Sequence, residues 1–335
     1  MKALVARLDS FGDVLLGGPA VRAVAAHASH VTLLCGPRGE PAARLLPGVD
    51  DVLVWEAPWE GVEPPPVDRA DIDAVVGRLR EAAYDSALVL TSFHQSPLPT
   101  ALLLRMAGVR RIGADSVDHP GSLLDVRHRR LPGRHEAEAA LDTAVAMGFA
   151  PPPGDDGGLR VVPTPDTISL TGNGPYVVVH PGASAPARAW SPDRCAAAVQ
   201  HLADAGHRVV VTGGPDEKSL TRRVSGDVAI DLGGHTEPRM LAGVLRNADV
   251  LVSGNTGPAH LAAAVATPVV SLFAPVVPAE RWAPFGVPTV LLGDQTAKCA
   301  DSRARHCPVP GHPCLNDVTP QDVVRAVREL IEERV

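Results

Sequence analysis

The 335-residue sequence is short of several things, and each shortage closes off a class of protein. Aromatic residues make up only 3% (Trp 4, Tyr 2, Phe 5), so a core has to be assembled from Ala, Val and Leu. Five cysteines in a chain of this length do not make a disulfide framework. No apolar run reaches the ~18–20 residues that a membrane-spanning helix requires. A formal net charge of −7 argues against a general nucleic-acid binder, although local basic patches remain compatible with it. Met1-Lys2 leads directly into the strand-like ALVARL, and Asp9 and Asp13 interrupt the residues after it. A secretory h-region with a small-residue cleavage site is therefore missing, and a cytoplasmic location is expected. Neither a G-x-G-x-x-G fingerprint nor a Walker loop stands near the chain start, which weakens a dehydrogenase or kinase reading.

The residues that are present describe a globular α/β protein. The length suits two domains, with 45% hydrophobic and 21% charged residues. Pro 33 and Gly 31 are abundant, but they fall between periodic segments as punctuation. Apolar strands at Lys2–Leu8, Val31–Cys35, Val52–Trp55, Ser86–Leu90 and Arg111–Gly113 alternate with helical spacing at Val14–His27, Ala42–Leu46, Asp71–Ala83, Pro97–Ala107 and Arg134–Met147. After the loose stretch PPPGDDGGLRVVPTPDTISLTGNGP, a second alternating series runs from Tyr176–His180 to Thr289–Leu291. This order predicts two Rossmann-like parallel-sheet domains facing a cleft, one at 1–165 and one at 170–318, with a helix at 319–335. Residues 298–316 read as an irregular Cys- and Pro-rich loop.

Ligands in such sheets bind outside the carboxyl ends of the strands, so the strand-end turns carry the chemistry. In Arg7-Leu-Asp-Ser-Phe-Gly-Asp13, Gly12 allows a sharp turn and Asp13 falls in the first helical turn. There it either complements the helix dipole or serves as a general base. In His180-Pro-Gly-Ala-Ser-Ala-Pro-Ala-Arg-Ala-Trp190, the hydroxyl of Ser184 and the guanidinium of Arg188 suit a diphosphate. In Thr212-Gly-Gly-Pro-Asp-Glu217, the carboxylates either accept ribose hydroxyls or cap the next helix. In Ser253-Gly-Asn-Thr-Gly-Pro258, Asn255 and Thr256 are capping residue types, and Pro258 suits a first helical turn. The free N–H groups of that helix end, with His260 one turn in, form a seat for an anion. Three such turns in one half suggest a nucleotide diphosphate.

These stretches also carry a resemblance. ARLDSFGDVLLGGPAVRAV, VVHPGASAPARAWSPDRCAAAVQHLADAGHRVVVTGGPDE and VSGNTGPAHLAAAVATPVVSLFAPVVPAERW are similar to the heptosyltransferase family, glycosyltransferase family 9, with HEAEAALDTAVAMGF and CPVPGHPCLNDVTPQDV also in place. The resemblance implies a GT-B type enzyme, with no cofactor or metal, that moves a sugar with inversion from a nucleotide-diphosphate donor to a glycan or glycolipid acceptor. ADP-heptose is the first expected donor and a lipopolysaccharide-like molecule the expected acceptor. It implies Asp13 as the base that deprotonates the acceptor hydroxyl. Ser184 and Arg188 would hold the donor diphosphate, Glu217 the ribose, and Thr256, Gly257 and His260 the phosphate turn. Asn255 departs from the Asp of better-known members: it can cap and hydrogen-bond but brings no charge. The readings set against this one are a nucleotide-sugar epimerase or hydrolase on the same fold and a non-catalytic nucleotide-sugar-binding protein.

Two further clusters each admit two readings. Arg127, Arg130 and Arg134, with His135, form either a solvated basic loop or a contact for a phosphorylated acceptor or an anionic membrane surface, the latter implying peripheral attachment to the membrane's cytoplasmic face. Cys299, Cys307, His312 and Cys314 could supply zinc ligands, although the spacing lacks a C-x2-C knuckle, and a reduced packed loop is the preferred reading.

Overall fold

The computed structural model describes residues 1–333 and divides into two compact units, Met1–Val162 and a second that begins at Pro163. Residues 334 and 335, the end of the expected final segment, lie outside the described residues. The first unit holds β1 (Lys2–Arg7), β2 (His30–Cys35), β3 (Asp51–Val54), β4 (Ser86–Val89), β5 (Arg111–Asp115) and β6 (Val126–His128). They form one sheet in the order β3-β2-β1-β4-β5-β6, with all neighbours parallel. The second unit holds β7 (Val177–His180), β8 (Val209–Gly213), β9 (Ile230–Gly233), β10 (Val250–Gly254), β11 (Val269–Leu272) and β12 (Thr289–Leu292). Its order, β12-β11-β10-β7-β8-β9, is the same winding repeated, again fully parallel.

Parallel strands need crossovers, and the helices of those crossovers cover both sheet faces. The central strands are accordingly buried throughout, and runs such as Val177-Val178-Val179 and Val209-Val210-Val211 show no alternation of exposure. Valine suits this position: its branched side chain stiffens the extended backbone and packs on a pleated surface. In the second unit one core joins Val177, Val179, Val209 and Val211 to Ala198, Val199 and Leu202 and to the last helix, Pro320–Glu332, through Val323, Val327 and Leu330. Thr319 caps that helix: its hydroxyl accepts from Asp322 N, and its own N–H donates to Asp322 Oδ2 at 2.8 Å.

Each sheet reverses its winding direction once, at β1/β4 in the first unit and at β7/β10 in the second. The loops leaving adjacent strands diverge at such a point and leave a hollow at the carboxyl edge. The turns carrying Asp13, Arg188 and Asn255 leave β1, β7 and β10, so every one stands at a reversal.

Candidate functional site

In the second unit, β7 and β10 pair in register, Ser253 against His180, so their turns emerge side by side. Gly254 closes the gap: a Cβ there would lie 2.8 Å from the Arg188 carbonyl oxygen, so only glycine lets the two turns meet. The helix after β10 runs Gly257–Ala264 with Pro258 in its first turn. Thr256 occupies the N-cap in extended conformation but makes no side-chain cap bond. Its Oγ1 and both polar atoms of Asn255 are buried without a hydrogen-bond partner among the described residues. Asn255 is 5% exposed. Buried amides and hydroxyls are almost always satisfied, so three orphaned atoms at one helix N-terminus point to a polar ligand that supplies the partners. His260 is buried one turn further along.

Arg188 ends a single 3-10 turn, Pro186–Arg188, and is half-buried; with His180, Trp190 and Gly254 it lines one small pocket. Ser184 is exposed on the same loop. Glu217 is already engaged. Its Oε2 accepts from Gly214 N at 2.7 Å and lies 3.8 Å from His180 Nε2. Its Oε1 occupies the space that a Cβ on Gly182 would need, so it rests directly on the backbone of the Ser184–Arg188 loop. Burial holds the His180 imidazole below its ordinary pKa, with Glu217 opposing that shift. His180 and Thr212, hydrogen-bonded at 3.1 Å, form the floor beneath these turns.

The first unit builds a charged network around Asp13. Asp13 Oδ2 accepts from Ser10 Oγ at 2.7 Å, and Oδ1 faces Arg7 Nη2 at 3.5 Å. Asp13 is 21% exposed, whereas Arg7 is 2% exposed. Arg7 also lies 3.1 Å from Asp9 and 3.9 Å from Glu136, and donates to Ser92 Oγ at 2.9 Å. Ser92 Oγ donates in turn to Asp9, Ser92 N donates to Gln95 Oε1, and Gln95 Nε2 donates to Glu60 Oε1 at 2.6 Å. The loops after β1, β3 and β4 are thus tied into one array. Carboxylates outnumber cations in it, with physical consequences. Desolvation raises Asp9, only partly offset by Arg7. Desolvation and then the charge of Asp9 push Glu60 up to about 7. Apart from Asp13, these residues escape a reading of the sequence alone. The available signal is a charged pair, Arg7 and Asp9, at the end of an otherwise apolar strand, since such residues are rarely buried unless paired.

The side chains of the basic cluster are engaged within the first unit. Arg130 pairs with Asp115 and Glu136 and donates to the Thr91 carbonyl. Arg127 donates to the carbonyls of Ser116 and Val117. Arg134 binds Asp142 at 2.7 Å and Glu138 at 3.1 Å. His135 caps the helix Glu136–Ala146. Arg130 and Arg134 are paired with carboxylates, and Arg127 is held by carbonyl oxygens. The Cys-rich loop is likewise packing. Cys299 and Cys314 are buried in the second core, Cys307 Sγ donates to Val309 O, and His312 Nε2 donates to Ala187 O at 3.1 Å. Among the described residues no group of three or more His, Cys, Asp or Glu is arranged to hold a metal ion. No helix among them is long and apolar enough to cross a membrane.

Two identically wound, fully parallel six-stranded sheets are the arrangement of a GT-B type α/β fold. The sequence pattern of glycosyltransferase family 9 (heptosyltransferase) matches residues 72–312, and the chain belongs to that family. No curated protein matches it by sequence. Among solved structures it is similar to the E. coli ADP-heptose lps heptosyltransferase II, at 21% identity and TM-score 0.76, covering 100% of this chain and 99% of that one. It is also similar to a family 9 glycosyl transferase from Veillonella parvula (17% identity, TM-score 0.77, 99% and 97% covered). A third is the E. coli heptosyltransferase WaaC with ADP-2-deoxy-2-fluoro heptose (19%, 0.70, 100% and 100%).

Proposed function

We propose that this glycosyltransferase moves a sugar with inversion from a nucleotide-diphosphate donor to a hydroxyl of a glycan or glycolipid. ADP-heptose is the first donor to test, since the similar WaaC structures carry ADP or an ADP-heptose analogue. The observation that carries the reading is the orphaned polar set, Asn255 Nδ2 and Oδ1 with Thr256 Oγ1, at the N-terminus of a helix beside a winding reversal.

The chemistry is governed by charge. As the sugar–phosphate bond breaks, negative charge grows on the departing nucleotide diphosphate. Preorganised donors aimed at that charge are worth more in a dry site than in water. The N-terminus of Gly257–Ala264, the Thr256 hydroxyl, the Asn255 amide, Ser184 and Arg188 supply them, with His260 behind the turn. Glu217 shapes the Ser184–Arg188 loop through Gly182 and keeps a partly exposed carboxylate for a ribose hydroxyl. On the first unit Asp13 takes the proton of the acceptor hydroxyl as the new C–O bond forms. Ser10 at Oδ2 and Arg7 beside Oδ1 hold the carboxylate in place.

The test is incubation with ADP-heptose, with and without a bacterial inner-core acceptor, following ADP release and the anomeric configuration of the product. Acceptor-dependent transfer with inversion is expected. A sugar altered or released at the same rate without acceptor would overturn the reading in favour of an epimerase or hydrolase. In the same assay Arg188→Ala is expected to weaken ADP binding at least about tenfold.

A further inference from the structure

We infer that His312 is a positioning residue for Arg188: residues 298–316 clasp the turn after β7 by the backbone of Ala187 and so fix where the Arg188 guanidinium is presented. The inference rests on the donor-site reading above and deepens it, giving a role to a residue that lies outside every strand-end turn.

The argument begins with the peptide groups of the turn. Its own hydrogen bonds run from Arg188 N to Ala185 O at 2.8 Å and from Ala189 N to Pro186 O at 3.2 Å. Both groups of Ala187 are therefore left to find partners elsewhere, and Ala187 is 1% exposed. A buried peptide group without a partner keeps its full desolvation penalty. Residues 298–316 supply both partners. Ala187 N donates to Arg305 O at 2.9 Å, and Ala187 O accepts from His312 Nε2 at 3.1 Å. The next residue is Arg188, whose carbonyl packs against Gly254. Its backbone is thus held on both sides, and the side chain starts from a fixed point.

The clasp has a firm base. Cys299, Cys314 and Leu315 are buried in the core of the second unit, and the Cys299 and Cys314 thiols are hydrogen-bonded to each other. Asp301 N donates to Pro275 O at 2.9 Å and Arg303 N to Val276 O at 2.7 Å, which ties the same residues to the chain leaving β11. In the sheet β7 and β11 flank β10, so residues 298–316 join the segments that follow the strands on either side of it. Asp301, Arg303 and His312 have φ of +59°, +56° and +50°. Left-handed backbone is costly for residues other than glycine and persists where the surroundings over-determine it. Here the three strained residues are the ones whose N–H groups or side chain reach across to a neighbouring segment. Core packing accounts for the buried thiols. It does not account for a strained, half-buried histidine aimed at the carbonyl of another turn.

The test compares His312→Phe, which keeps a ring but has no donor, with His312→Gln, whose amide nitrogen reaches about as far as the imidazole Nε2. Two quantities are read on the full chain: amide hydrogen exchange across residues 184–190 without ligand, and calorimetric affinity for ADP, GDP and UDP. In His312→Phe exchange is expected to be about tenfold faster, and the diphosphate that binds best is expected to bind about three- to tenfold more weakly. His312→Gln is expected to bring both back to within about twofold of wild type. In an Arg188→Ala background His312→Phe is expected to speed exchange without further loss of affinity, since its effect passes through the guanidinium. Thermal melts show whether each variant folds, and His312→Ala is read in the same way, so the outcome does not hang on one substitution. Unchanged exchange or unchanged affinity in the donorless variants would overturn the clasp. So would an affinity loss of the same size in the Arg188→Ala background, which would mean a general loosening of the unit, or a failure of glutamine to rescue. A wild-type chain that binds none of the three diphosphates would instead overturn the donor site, and the inference with it.

Discussion

Arg7 Nη2 lies 3.5 Å from Asp13 Oδ1 and 3.1 Å from Asp9 Oδ2, so the residue assigned as base shares its cation with a rival. Asp13 is partly open to solvent while Asp9 is not, and burial sorts the two into different roles. Asp9 holds Arg7 in place through direct contact and through Ser92, and Asp13 faces outward with one oxygen steadied by Ser10. Burial works against the charge on Arg7, but Asp9, Asp13 and Glu136 outweigh it and raise its pKa further above neutrality.

Replacing Arg7 with methionine removes the cation from beside Asp9 and Glu136, both almost fully buried. Breaking a buried pair from one side typically costs about 3–5 kcal/mol. Urea unfolding should show a loss of that size, and a loss below about 1 kcal/mol would mean that the carboxylates reorganise at little cost.

Asp13→Asn keeps shape and the Ser10 contact but cannot take a proton. Transfer should fall by about 10²–10⁴-fold, with nucleotide affinity and melting temperature close to wild type. Full transfer activity in this variant would remove Asp13 from the chemistry.

Glu60 is half-buried beside Asp9, and its folded-state pKa is raised to about 7. A raised pKa means that the folded state holds the proton more tightly than the unfolded one. The stabilisation is complete below the ordinary glutamate range and is lost as pH rises through about 7. Glu60→Gln, which can still accept from Gln95, should therefore gain relative to wild type as pH rises from about 4.5 to about 7. A relative rise of about 2–4 °C in melting temperature is expected after allowing for solvent screening at this partly exposed site. Parallel melting curves across that range would contradict the charge excess around Asp13.

Gly182→Ala should displace the Glu217 carboxylate, because the added methyl would collide with Glu217 Oε1. The group that must move is the end of a flexible, partly exposed side chain, so the melting temperature should change little, while the displaced carboxylate should lower diphosphate affinity at the Ser184–Arg188 loop. In the Glu217→Ala background the same glycine substitution should have no further effect on affinity. A purely additive result would show that the two residues do not meet.

The repeated strand–helix alternation was legible because its signal is local. Runs of Val, Ala and Leu between Gly/Pro punctuation specify buried parallel strands, and Gly257-Pro258 marked its helix start to the residue. Elements whose identity rests on their neighbours were not legible. The helical spacing of Val14–His27 resolves into two helices, Phe11–Leu16 and Gly18–Ala25, broken at Gly17. There Gly18-Pro19 comes next, and Pro19 cannot donate an N–H to continue the first helix. The strand Val126–His128 was hidden because Arg127 and His128 look like surface charge. It is an edge strand, paired only with β5, where polar residues are tolerated.

The sequence by itself therefore determined the two-domain α/β class, the strand-end turns and the family, since each depends on residue order over short windows. Tertiary structure decided which charged groups are spent and which remain available. Arg127, Arg130 and Arg134 are consumed by carboxylates and carbonyls that come from other strands and helices. Glu217 is committed to a glycine 35 residues earlier in the chain. The side-chain polar atoms of Asn255 and Thr256, by contrast, are buried and still unpaired among the described residues. Whether a polar atom is paired depends on where the chain brings its partners, and in a parallel sheet those partners lie a full crossover away in sequence.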